Sequence, residues 1–330
     1  MSKNYPPCKS IIFAHFLQTK MMYNKNTLYL VLKWTWISLI LVFVIRYLYD
    51  HHYVVWQVIR ELSLPTMLLV FLSISIGKLL LVINMQYSLN CIGKNISYAK
   101  SFHYYNITQL GKYMPGNFWH FVGRYGYYRA ERLSFSEIHK ALILEMLFIS
   151  LGCLLVSAVF FSLNPSFYSY LASLNVLDTR FIFIPVIVLC LTTVFLLIKR
   201  KVFKKVARHL LSNWRLNIKI LIVQFAIWLF LGASFYLLLR GHTIHHGLFP
   251  NIISLYSIAY LLGFLFVLAP AGIGVREFVL ISGLGFIDMP MDIKLSLVGF
   301  HRVFYMAAEV ILAAIAFAIF MYFEDRHPSG

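Results

Sequence analysis

Acid is what this chain has least of. Only 12 Asp and Glu stand against 29 Lys and Arg in 330 residues, and charged residues of both signs make up just 12%. A soluble domain carries about 25% charged residues, so the deficit excludes an ordinary water-soluble globule. No polar block is long enough to form a separate soluble domain. Cysteine is sparse too. Cys8, Cys91, Cys153 and Cys190 lie far apart, with no Cys-x-x-Cys or other metal-ligand spacing, which argues against a disulfide framework or a zinc site. Also missing are a Walker loop, a Gly-x-Ser-x-Gly elbow and a paired Asp-x-Asp, so ATP hydrolysis and sugar-nucleotide chemistry have no visible centre and no cofactor is expected. His242, His245 and His246 share one loop without a carboxylate or cysteine beside them; a solvated loop with no metal is the expectation.

What fills the chain instead is apolar sequence, 60% of all residues. Runs at 28–49, 64–86, 138–161, 181–198, 220–239 and 293–323 are long enough to cross a bilayer. The expected fold is therefore all-α: a polytopic membrane bundle of about 6–8 spans, in one transmembrane domain over 28–323 between a basic tail at 1–27 and a short tail at 324–330. Segment 199–219 is rich in Lys and Arg and contains no acid, so the positive-inside rule places it in the cytoplasm. The N-terminus and 87–137 then face the cytoplasm as well, while 50–63, 163–180 and 240–251 face out. The formal charge of +17 is accounted for by such loops, so nucleic acid is not an expected partner. The short apolar stretch at 10–17 lacks a small-residue cleavage site and does not read as a signal peptide. Sequons at Asn95 and Asn106 fall on the cytoplasmic side and are discounted.

Two stretches interrupt this pattern. After an apolar run comes Leu268-Ala-Pro-Ala-Gly-Ile-Gly-Val-Arg-Glu277, where Pro270 removes a backbone donor and Gly272 and Gly274 open dihedrals closed to other residues. The helix must break there, with Arg276 and Glu277 directly after the break. Residues 252–287 then form either a hairpin entering and leaving from outside or a crossing plus a half-crossing, and the hairpin is preferred. The second stretch, Gly111-Lys-Tyr-Met-Pro-Gly-Asn-Phe-Trp119, joins a break at Pro115 and Gly116 to Lys112, with Arg124 and Arg129 following amid aromatic residues. It is too polar to span and too aromatic for a solvated loop, and reads as a re-entrant pair of short helices from the cytoplasmic side; an amphipathic surface helix is the alternative. Two broken elements approaching the midplane from opposite faces is the layout of inverted-repeat transporters, whose half-helix ends meet at the substrate.

These two blocks, with Gly123-Arg124 and Arg302 of the last helix, resemble the transmembrane, flippase-like domain of the lysylphosphatidylglycerol synthase family over roughly 28–323. The resemblance implies a protein that handles lipids with modified headgroups between leaflets of a bacterial inner membrane. It also implies cell-envelope glycosyltransferases as partners. The soluble aminoacyl-transfer domain of full synthases has no counterpart up to Gly330, so synthase activity is not expected.

Each charge at a helix centre costs about 2.5–3.5 kcal/mol on insertion scales. Lys78, Glu145, Arg276, Glu277, Arg302 and Glu309 must therefore face one another, water or a ligand. Arg302, Tyr305 and Glu309 fall on one stripe, two turns from end to end, so Arg302 and Glu309 are expected to pair with other segments. Lys78 is a natural partner for Glu145. Arginine forks suit phosphate oxygens; Lys112, Arg124, Arg276 and Arg302 are expected to contact an anionic phospholipid or lipid-linked saccharide headgroup, with Glu277, Glu309 and Glu145 orienting them or relaying protons. The competing readings are an enzyme or membrane subunit of lipid modification, with Glu277 as base, and a scaffold that uses the basic 199–219 segment.

Overall fold

The computed structural model describes residues 52–114, 118–162, 214–240, 248–266 and 269–326, together with positions 46, 49 and 50. The expected spans 28–49 and 181–198, the basic loop 199–213, the histidine loop and the Pro115-Gly116 break lie outside the described residues. The chain divides into two units, Met1–His52 and Tyr53–Gly330. Apart from His52 at the start of the first helix, everything below concerns the second.

Among the described residues the structure is helical: α1 (His52–Glu61), α2 (Leu64–Asn90), α3 (Tyr98–Gln109), α4 (Trp119–Ala130), α5 (Phe135–Ser162), α6 (Trp214–Arg240), α7 (Phe249–Leu265), α8 (Val275–Gly283) and α9 (Met291–Arg326). Four of these, α2, α5, α6 and α9, are long and apolar enough to cross a membrane. At 27 residues α2 runs about 40 Å, more than the roughly 30 Å hydrocarbon core requires. Their outer faces carry exposed Leu68 and Leu72 on α2, Leu151 and Leu155 on α5, and Val303, Val310 and Phe317 on α9. Such a surface is at home only against lipid tails. The protein is an integral membrane α-helical bundle.

Local chemistry sets the helix starts. Ser63 accepts the Thr66 N–H at 3.3 Å ahead of α2. A reciprocal box opens α5: Glu137 accepts the Ser134 N–H at 2.8 Å and Ser134 Oγ accepts the Glu137 N–H at 3.4 Å. Gly93, at φ 77°, turns the chain out of α2.

The order span, broken hairpin, span occurs twice. In the first half α2 is followed by α3, a 3-10 turn at Leu110–Tyr113, α4 and then α5; in the second α6 is followed by α7, a 3-10 turn at Pro270–Gly272, α8 and then α9. Packing repeats as well. α3 packs on α9 as α7 packs on α5, and α2 meets α9 as α6 meets α5. The equivalent helices α2 and α6 lie side by side and run antiparallel. Ser73 Oγ donates to the Phe230 carbonyl at 2.7 Å, whereas farther along α2 the Asn84 Oδ1 accepts from Gln224 Nε2 at 2.6 Å, earlier on α6. An operation that maps α2 onto α6 must reverse the helix direction, which is the inverted repeat expected from the two breaks. The two 3-10 turns touch each other.

α7 and α8 pack against each other as a hairpin with unequal arms. The first has 17 residues and the second 9, about 25 and 14 Å long, and α8 folds back on α7 before α9 begins.

Candidate functional site

The second break is built from backbone as much as from side chains. Ala271, Gly272 and Gly274 all have positive φ, at 51°, 70° and 88°. Gly272 also lies against the α7 backbone: a Cβ there would meet the Gly263 carbonyl oxygen at 2.8 Å. Gly263 in turn leaves the space that the Arg276 stem occupies, since a Cβ on it would collide with Arg276 Cγ. Glu277 Oε2 accepts the Gly274 N–H at 2.6 Å, capping α8 from inside its first turn. The two glycines and the cap together fix where Arg276 emerges.

Arg276 is buried, and its surroundings are aromatic. Its Cζ lies 4.5 Å from the Tyr260 ring centroid, 5.0 Å from that of Tyr305 and 5.6 Å from that of Tyr256, and Nη2 donates to the Tyr256 hydroxyl at 2.9 Å. Among the described residues no carboxylate comes within salt-bridge range of it. Ring quadrupoles stabilise a desolvated guanidinium, but they carry no net charge to cancel it.

The other charges have acids. Lys78 of α2 and Lys112 of the first 3-10 turn both reach Oε1 of Glu309, and the Tyr113 hydroxyl donates to Glu309 Oε2 at 2.5 Å. Lys78 Nζ sits 3.7 Å above the Tyr305 ring and Lys112 Nζ 5.2 Å from it, so this ring faces both lysines and Arg276. Arg124 is paired with Glu145 Oε1, donates to Thr108 Oγ1 at 3.4 Å and lies 4.7 Å from the Tyr105 ring. Arg302 donates to the Ala271 carbonyl at 2.9 Å and stands 3.6 Å from Glu277 Oε1.

The structure thus brings Lys78, Lys112 and Arg276 around the Tyr305 ring, with Glu309 paired to both lysines, and puts Arg302 and Glu277 at the adjoining break. Arg124 and Glu145 form a neighbouring node between α4 and α5. One expected pairing is wrong: Lys78 meets Glu309, not Glu145, because Arg124 of α4 occupies Glu145 from the first hairpin. Arg302 and Glu309 do pair with other segments, as their two-turn separation requires. Both Glu277 oxygens are engaged, Oε2 by the Gly274 N–H and Oε1 beside Arg302, which counts against its use as a free base. The α7 tyrosines were missed from sequence, although Tyr256 and Tyr260, spaced i,i+4 in an apolar helix, were a readable signal. Gly263 gave none.

The family described as "Lysylphosphatidylglycerol synthase TM region" matches residues 28–320. The chain belongs to this family. No curated protein matches it. In lysylphosphatidylglycerol synthase TM-region terms, the match takes in both hairpins, the first three long spans, the fourth up to residue 320 and every charge in the cluster.

The two halves of this lysylphosphatidylglycerol synthase TM region also contribute comparable parts. Each sets an arginine of its second hairpin arm against a tyrosine of its first: Arg124 with Tyr105, and Arg276 with Tyr256. Only the first of these arginines is neutralised within its half, by Glu145. Asn106, one of the two sequon residues, is buried and donates to the Phe102 carbonyl at 2.8 Å, which makes it a poor glycosylation acceptor.

Proposed function

We propose that the protein is a flippase-like lipid transporter that shelters an anionic phospholipid or lipid-linked saccharide headgroup between its two broken hairpins while the acyl or prenyl chain stays in the bilayer. The observation that carries this reading is Arg276: a buried guanidinium directly after the second break, within 4.5–5.6 Å of three tyrosine ring centroids and with no carboxylate in salt-bridge range among the described residues. A charge in that setting is costly unless an anion visits it. Lys112 and Arg302 flank it as further headgroup contacts, and Arg124 joins them when its pair with Glu145 opens. Glu277 and Glu309 hold the cations in place and are the candidate proton sites. Without a nucleotide motif, movement is downhill or ion-coupled. The loop charges favour a bacterial inner membrane with the N-terminus in the cytoplasm. Membrane lipids are the partners, with envelope glycosyltransferases acting on the same lipids.

The test is leaflet-selective dithionite reduction of acyl-labelled phospholipids in proteoliposomes. Reduction of inner-leaflet label faster than in protein-free vesicles, for anionic headgroups and not for phosphatidylcholine, supports the proposal. Rates equal to protein-free vesicles across all headgroups remove it.

A further inference from the structure

The charge balance of the cluster narrows the headgroup, an inference that rests on the transport reading above. Among the described residues five cations, Lys78, Lys112, Arg124, Arg276 and Arg302, face three carboxylates, Glu145, Glu277 and Glu309. Counted with every one of them in its charged form, two positive charges are left over. Their positions follow from the pairing. Arg124 and Arg302 each have their own acid, so neither contributes. One surplus charge belongs to the two lysines that share Glu309, and the other is Arg276. Both adjoin Tyr305, whose ring centroid lies 3.7 Å from Lys78 Nζ, 5.2 Å from Lys112 Nζ and 5.0 Å from Arg276 Cζ.

Donor capacity is also left unused at that spot. The Tyr305 hydroxyl is buried and has no hydrogen-bond partner, and Arg302 Nη1 is buried and unpaired as well. Unsatisfied buried donors are rare because each forfeits its bond to water. Two surplus positive charges beside unused donors form a receptor for a compact anion carrying two negative charges.

We infer that the headgroup carried is a dianionic lipid phosphate, such as a terminal phosphomonoester or a pyrophosphate diester, in preference to the singly charged phosphodiester of ordinary glycerophospholipids. A phosphodiester cancels one surplus charge and leaves the other buried. A phosphomonoester, at close to two negative charges near neutral pH, cancels both. Its additional oxygen accepts from Tyr305.

The experiment compares two lipids that differ by one methyl group. Purified full-length protein in phosphatidylcholine nanodiscs is titrated at pH 8 with dioleoyl phosphatidic acid, a dianion there, or dioleoyl phosphatidylmethanol, its monoanionic ester, with thermal unfolding as readout. Half-saturation by phosphatidic acid at a concentration at least tenfold lower supports the inference, and Tyr305→Phe, which keeps the ring and removes only the hydroxyl, shrinks that ratio several-fold. Equal binding of the two lipids overturns the dianion assignment and leaves an anionic-lipid carrier standing. Binding of neither lipid overturns both readings. Inorganic phosphate that protects as well as phosphatidic acid overturns the lipid as the source of the dianion. A Tyr305→Phe protein with the wild-type ratio overturns the role given to the hydroxyl.

Discussion

Glu309 is the side chain the cluster can least spare, because one carboxylate serves two buried ammonium groups and the Tyr113 hydroxyl. Removing one member of a buried ion pair costs about 3–5 kcal/mol, chiefly by leaving its partner uncompensated. Glu309→Ala leaves two lysines in that state and is expected to destabilise by at least that amount in thermal or denaturant unfolding of detergent-purified protein. Lys78→Met removes one of the surplus cations and leaves Glu309 to Lys112 and Tyr113, so its loss is expected to be clearly smaller. Equal losses contradict a shared carboxylate. Tyr305→Phe points the other way. An unsatisfied buried hydroxyl is a liability of about 1–3 kcal/mol, so without ligand the variant is expected to unfold at the wild-type temperature or above, even as it binds phosphatidic acid less well. A Tyr305→Phe apoprotein that melts well below wild type indicates that the hydroxyl has a partner within the fold.

At the scale of elements, the second break depends on two glycines for different reasons. Gly272 needs both a left-handed backbone and direct approach to Gly263, whereas Gly93, also left-handed at φ 77°, has open space around it. Gly93→Ala is expected to cost only the backbone strain, about 1–2 kcal/mol, and Gly272→Ala distinctly more. Matching unfolding temperatures for the two variants contradict the close packing of α7 against the turn. At the first hairpin, Glu131 ties the end of α4 to α3: it accepts from Lys100 at 2.7 Å and from Tyr104 at 2.6 Å. Partial burial pushes the carboxyl up, but the bonds from Lys100 and Tyr104 outweigh it and hold it below the usual carboxylate range. A depressed folded value means the contribution is full above the ordinary glutamate pKa of about 4.3 and is lost as pH falls through the folded value. Being solvent-screened it is worth less than about 1 kcal/mol. The melting temperature should therefore fall between pH 5 and pH 3 somewhat more steeply in wild type than in Glu131→Gln; parallel curves remove the assignment. The breaks themselves were legible, because Pro270, Gly272 and Gly274 leave a helix no alternative. The partners of the charges were not. Lys78 goes to Glu309 because of how α2, α9 and the first 3-10 turn are rotated and packed, and a single helix's spacing carries no such information.

For the whole molecule, the inverted repeat explains why the site lies where it does. The two hairpins bring their 3-10 turns into contact, the first turn also lying against α9, so the polar backbone there is enclosed by protein, the condition under which broken helices are tolerated at membrane depth. The sequence carried the repeat as two Pro/Gly breaks amid spans, yet its proof lies in pairwise packing, α3 on α9 and α7 on α5, which no local pattern encodes. The two halves are alike in backbone and unlike in charge: Arg124 is answered by Glu145, and Arg276 by the rings and one hydroxyl of its tyrosines. That asymmetry is the ground for proposing an anionic headgroup at Arg276. The most direct test is leaflet-selective reduction of acyl-labelled phosphatidic acid in proteoliposomes containing wild type, Arg276→Lys or Arg276→Ala. The account predicts rapid loss of inner-leaflet label with wild type, a slower loss with Arg276→Lys, which keeps the charge without the fork, and the protein-free rate with Arg276→Ala. Wild-type movement by a folded Arg276→Ala protein would contradict it.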